Sequence, residues 1–168
     1  ADWKDFILPD GTPAEIPASA DFSPDGEGGW TALSGDGEVL GAMPRDSFYL
    51  SQKFFPLLEW DGRDLSVLDR LPEFMGKVTW SLFPTAPFHK PLTAEHLADI
   101  RLRARRLYEE TDYAVMAGFG GNHLEWGQYL CRFDRFLTDI ALDRKKVEAL
   151  VDKLVEMHIE NLEKFLDA

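Results

Sequence analysis

Tyr113-Ala114-Val115-Met116-Ala117-Gly118-Phe119-Gly120-Gly121-Asn122-His123-Leu124-Glu125 is the stretch on which the reading of the fold turns. It opens with an unbroken apolar run of strand length, Tyr113 to Phe119, the pattern of a parallel strand covered on both faces. After Gly120, Gly121 and Asn122 a helix is expected, with Trp126, Leu130, Phe133, Leu137 and Ile140 as its buried stripe. Upstream, Thr93 can cap a helix whose Leu97, Ile100, Ala104 and Leu107 recur on one face. Downstream, Asp143 opens a long helix with Val147, Leu150, Val151, Leu154, His158, Leu162 and Phe165 inward. Helix, buried strand, glycine loop, helix, long helix is the order of an α/β barrel rather than of a helical bundle.

Further out the signals change. Up to Trp60 the chain is rich in Gly, Pro and Asp, with turn signals at Asp10-Gly11, Asp25-Gly26, Gly28-Gly29, Asp36-Gly37 and Asp61-Gly62. Trp30-Thr31-Ala32-Leu33 and Glu38-Val39-Leu40-Gly41 flank Ser34-Gly35-Asp36-Gly37 as two strands flank a tight turn, and Ser47 to Leu50 offers a third strand. Val78 to Phe83 is strand-like but closed by Pro84 and Pro87. The expected fold is α/β: a partial TIM (β/α)8 barrel with a small antiparallel hairpin region near the N-terminus and long C-terminal helices. Residues 1–168 read as a single partial domain, hairpin-rich over 1–60 and carrying the helix, strand and loop units over 91–168. A complete barrel takes roughly 200 to 400 residues; with 168 here, the C-terminal half of the barrel is expected to be absent.

Composition narrows the classes of partner. The net charge of −12 opposes binding to a nucleic-acid backbone or to an anionic membrane surface. No apolar run is long enough to span a bilayer, and Asp2, Lys4, Asp5 and Asp10 break any signal-peptide pattern at the N-terminus. Cys131 is the only cysteine, so neither an intrachain disulfide nor a multi-thiolate zinc site can form, and a reducing cytoplasm is the expected setting. Arg101, Arg103, Arg105 and Arg106 read as the solvated face of an amphipathic helix, His158 as a core histidine and Cys131 as a packed, inert thiol.

The chemistry is expected in the loop after the apolar run, because a barrel builds its site at the C-terminal ends of its strands. Glycines at 118, 120 and 121 let a ligand approach the backbone, and the helix that follows turns free N–H groups toward a carboxylate or phosphate. The same residues also suit a plain turn with Asn122 or His123 as a helix cap. His123 and Glu125 are the acid–base candidates, and Tyr129 lies one position off the apolar stripe, where its hydroxyl can face the barrel mouth. Neither a catalytic residue nor a metal ligand is assigned from spacing.

On these residues the chain resembles the uroporphyrinogen decarboxylase superfamily. The likeness runs from Tyr113 to Ala168 and extends to Asp10-Gly11-Thr12, the Asp36-Gly37 hairpin, Ala42-Met43-Pro44 and the Tyr49 to Leu57 segment, which resemble the methyltransferase-like branch. Decarboxylases of the superfamily carry Gly-Phe-Ala-Gly-Ala-Pro-Trp-Thr followed by a substrate-binding tyrosine; laid on Gly118 to Glu125, that pattern falls on Tyr129. The resemblance therefore implies a substrate site of Phe119, Gly120, Gly121, Asn122, His123, Glu125 and Tyr129. Asn122-His123-Leu124-Glu125 replaces Ala-Pro-Trp-Thr, and the decarboxylase arginine motif and pyrrole-gripping aspartate have no counterpart. It implies a corrinoid-dependent methyltransferase before a decarboxylase, with a small-molecule substrate and a corrinoid protein as partner. It places zinc-binding His and Cys residues in the missing half, so this chain is expected to hold no zinc. A non-catalytic, self-associating fragment is the remaining expectation, since half a barrel leaves strand edges and helix faces uncovered.

Overall fold

The computed structural model describes residues 3–78, 92–116 and 121–167. It is a mixed α/β protein with two small antiparallel sheets, five α-helices and one 3-10 helix among these residues, and no closed barrel. The first sheet is the hairpin of β1 (Trp3–Ile7) and β2 (Pro13–Pro17). Its turn holds Gly11 at φ 90, and Asp10 accepts hydrogen bonds from the Thr12 N–H and hydroxyl. The second sheet runs β3 (Asp21–Pro24), β4 (Trp30–Leu33), β5 (Val39–Met43), β6 (Ser51–Gln52) in that order. The hairpin read around Ser34-Gly35-Asp36-Gly37 is thus present, while the strand expected at Ser47 to Leu50 is a bend and the pairing falls on Ser51–Gln52 instead.

A 3-10 helix (Leu65–Arg70) leads into α1 (Leu71–Lys77). Lys77 donates from its last turn to Asp36 at 2.8 Å and Glu38 at 3.3 Å, tying the β4–β5 turn to the helical part. Then come α2 (Ala94–Glu110), α3 (His123–Cys131), α4 (Phe133–Leu142) and α5 (Arg144–Leu166). Thr93 and Asp143 cap α2 and α5 as expected, accepting from the N–H groups of His96 and Lys146. The main core is helical: Leu57, Leu71, Leu130, Leu150 and Leu154 are fully buried around Trp126.

Three expectations are corrected. The described part of the apolar run, Tyr113 to Met116, forms no strand and faces solvent, with Tyr113 82% and Met116 94% exposed. The reason is pairing: a buried parallel strand needs neighbours on both sides, and among the described residues both sheets are antiparallel and N-terminal. Residues 117–119 of that run, and 79–83 of the other strand candidate, lie outside the described residues. Second, α2 has no buried residue: Leu97 and Ile100 are half-buried, Ala104 and Leu107 are exposed, and among the described residues the stripe joins no core. Third, the single helix expected across Trp126 to Ile140 is two, because Arg132 takes φ 73 and breaks it. Phe133, Leu137 and Ile140 consequently turn outward and Phe136 and Asp139 turn inward.

The fold-back of α4 on α3 depends on Gly127, since a Cβ there would overlap the Phe136 ring. It also buries an ion pair, Lys146 to Asp139 at 2.6 Å, with Arg135 on the same carboxylate. No helix among the described residues is long and apolar enough to cross a membrane. Gly127→Ala should cost stability by about 1–3 kcal/mol through overpacking, outweighing the ~1 kcal/mol by which alanine favours a helix over glycine. Urea denaturation measures it; a variant as stable as the parent would mean α3 and α4 do not pack this closely.

Candidate functional site

Seven residues were expected to form one site, and the structure divides them. Phe119 and Gly120 lie outside the described residues. Gly121, Asn122, His123 and Glu125 sit at the start of α3, all partly buried, while Tyr129 lies toward its other end.

At the start of α3, Asn122 occupies the N-cap position but its side chain makes no capping hydrogen bond. Its Oδ1 and the Nε2 of His123 are both buried and meet no hydrogen-bonding partner among the described residues. Burying such atoms without a partner costs about 1–3 kcal/mol each, so the plain capping role does not account for them. The His123 ring stands edge-on to His158 of α5, with centroids 5.2 Å apart and planes at 84°. His158 is buried, as its place on the apolar face of α5 implied. Burial, and then the neighbouring His123, hold its imidazole below the ordinary 6.5. The contact joins residues far apart in sequence, and only the packing of α5 on α3 makes it.

Toward the other end of α3 the helix stops at Cys131, which leaves its last carbonyls without intrahelical partners. Gln52 donates its side-chain amide to the Tyr129 carbonyl at 2.6 Å, and the Leu57 N–H donates to the Leu130 carbonyl at 2.9 Å. These bonds stitch the N-terminal sheets to α3 and place Tyr129 in the wall of a half-open cavity of about 470 Å3. Phe6, Phe22, Phe48 and Tyr49 share that wall. None of these four was among the expected site residues, and their scattered positions carry no common spacing.

The donors for a metal are few. No cluster of three or more His, Cys, Asp or Glu side chains able to hold an ion occurs among the described residues. Cys131 is buried against the helical core, and that burial pushes its thiol up to about 12, so it is a packed hydrophobe and not a ready thiolate.

The His158 shift makes stability pH-dependent. The fold holds the His158 proton less well than the unfolded chain does, so its contribution is complete above the unfolded value of 6.5 and is lost as pH falls below it. The melting temperature should fall as the pH drops below 6.5, and His158→Phe should flatten that part of the profile. Identical profiles would show that His158 is protonated as readily in the fold as outside it. Comparison with protein-family models, with curated proteins and with solved structures finds no match to this chain.

Proposed function

We propose that the chain forms a substrate-binding wall of an enzyme of the uroporphyrinogen decarboxylase superfamily, on its methyltransferase side. The reaction would move a methyl group from a methylated small molecule or methylcorrinoid to a corrinoid protein or a thiol. The observation that carries this reading is the place of Tyr129, which follows the glycine loop at the spacing of the family's substrate-binding tyrosine and lines the cavity.

The character of the cavity favours methyl transfer over decarboxylation. A uroporphyrinogen bears eight carboxylates and needs cationic partners to hold them. Among the described lining residues there is no Lys, Arg or His to do so. The walls instead suit a small, largely apolar molecule, which they desolvate and orient while Tyr129 offers a hydroxyl. Zinc, which activates a thiol in methyltransferases of this kind, does not fit the described donors: Cys131 is packed away and His123 with His158 gives two imidazoles only. The partly exposed His123 and Glu125 side chains at the start of α3 serve as binding groups.

The test is methyl transfer from methylcobalamin to a thiol by the purified protein, followed by the loss of the methylcobalamin absorbance. Tyr129→Leu should raise the half-saturating substrate concentration roughly tenfold, the effect of losing an aromatic contact and its hydroxyl of about 1.4 kcal/mol. Conversion of uroporphyrinogen to coproporphyrinogen would instead establish the decarboxylase.

A specific observation also favours self-association as a second reading. Leu102, Leu107 and Tyr108 of α2 and the Tyr113 to Met116 segment are exposed, large apolar groups that join no core among the described residues. Sedimentation should then show a dimer that Leu107→Glu dissociates; a compact monomer would end this reading.

A further inference from the structure

Gln52 brings a polar side chain to the cavity at Tyr129, and strand register puts it there. Phe22, Ala32, Gly41 and Gln52 stand opposite one another across β3, β4, β5 and β6, so their side chains share one face of the sheet. Phe22 and Gln52 both line the cavity from that face. The Gln52 amide is locked in place. Its Nε2 donates to the Phe54 and Tyr129 carbonyls at 2.5 and 2.6 Å, which engages both amide hydrogens. A flipped amide would set Oε1 against those two carbonyl oxygens, acceptor against acceptor, so the orientation is fixed. Oε1 accepts no hydrogen bond among the described residues, and it is not one of the buried polar atoms left without a partner. It is therefore an open acceptor held in one direction on a wall of aromatic rings.

That wall carries no ionic side chain. In the first sheet Phe6, Ala14 and Ile16 share the face that meets the cavity, while Glu15 lies with Asp5 on the opposite face. Lys4 shares the face of Phe6, but its ammonium sits on the Ala20 carbonyl at 2.6 Å. A charged ligand would lose hydration and find no counter-charge. A wholly apolar ligand would cover Oε1 and strip it of the water that satisfies it. A flat, uncharged ligand with an N–H or O–H on its edge avoids both costs: its faces lie against rings such as Phe6 and Phe22, and its donor meets Oε1.

We propose that Gln52 selects the ligand of this cavity, a small uncharged aromatic molecule that donates one hydrogen bond to Oε1. The proposal rests on reading the cavity as the substrate site, and it adds the contact by which that site tells its ligand from others of the same shape.

Calorimetric titration of the purified protein tests it with three probes: indole, 1-benzofuran, in which an ether oxygen replaces the N–H, and benzoate as a flat anion. Indole should bind roughly five- to tenfold more tightly than benzofuran, and benzoate should not bind. Gln52→Met keeps the length of the side chain without the amide, and should bind the two uncharged probes within about twofold of each other. Circular dichroism checks that the variant keeps the fold, and the comparison of probes on the native protein decides the matter even if it does not. Equal binding of indole and benzofuran by the native protein, tighter binding of benzoate, no binding of indole, or a folded Gln52→Met protein that keeps the full preference would each overturn the proposal. Its failure is separable from that of the methyltransferase reading. A Gln52-dependent preference for indole in a protein that transfers no methyl group from any donor would end the latter alone. Methyl transfer by a native protein that binds indole and benzofuran equally would end the former alone.

Discussion

The early end of α3 governs much of the rest of the structure. Arg132 adopts φ 73 with ψ 143, a backbone region that suits glycine and costs another residue about 1–3 kcal/mol, and it is held there with its guanidinium on Asp134 and its carbonyl accepting from the Phe136 N–H. Two consequences follow. The chain folds back so that Phe136 lies on Gly127, and the last carbonyls of α3 are released to accept from Gln52 and Leu57. Without the break, Phe133, Leu137 and Ile140 would continue the stripe of Trp126 and Leu130, and β6 would lose its hydrogen bond to α3, leaving the Lys77 bonds to Asp36 and Glu38 between the second sheet and the helices. A local backbone irregularity thus connects the halves of the molecule.

Because the attachment occurs near Tyr129, the two ends of α3 have different surroundings. Its start is polar, with Asn122 and His123 partly buried and the His123 ring edge-on to the buried His158. Tyr129, toward the other end, meets an apolar space walled by strands from both sheets. One helix therefore carries an imidazole contact at its start and a ligand-sized cavity near its end, and the expected site residues divide between them.

Charge supplies a second constraint. The chain is strongly acidic, yet its basic residues are mostly consumed in local pairs, such as Arg103 with Asp99, Arg106 with Glu110 and Arg144 with Glu148 along their helices. Exposed pairs of this kind contribute little to stability, typically about 0.2–1 kcal/mol. The buried Lys146–Asp139 pair differs, because both charges are removed from water and each requires the other.

Local chemistry was legible in the sequence because it acts within a turn of the residues that carry it. Ser34 to Gly37 makes its hairpin, Thr93 and Asp143 cap their helices, and the period of Leu150, Leu154 and His158 marks the buried face of α5. Tyr129 was named through the family resemblance, and it lines the cavity between the N-terminal sheets and α3. Long-range pairing was not legible: periodicity ran straight through Arg132, since no residue type there announces a left-handed φ, and the apolar run at Tyr113 to Met116 looked like a strand because composition cannot report whether a partner strand is present. The meeting of His123 with His158, the burial of Lys146 on Asp139 and the gathering of rings from β1, β3 and α3 around one cavity were decided only by tertiary packing. Each joins residues distant in the chain, whose contact depends on how whole elements dock and not on the preference of any one segment.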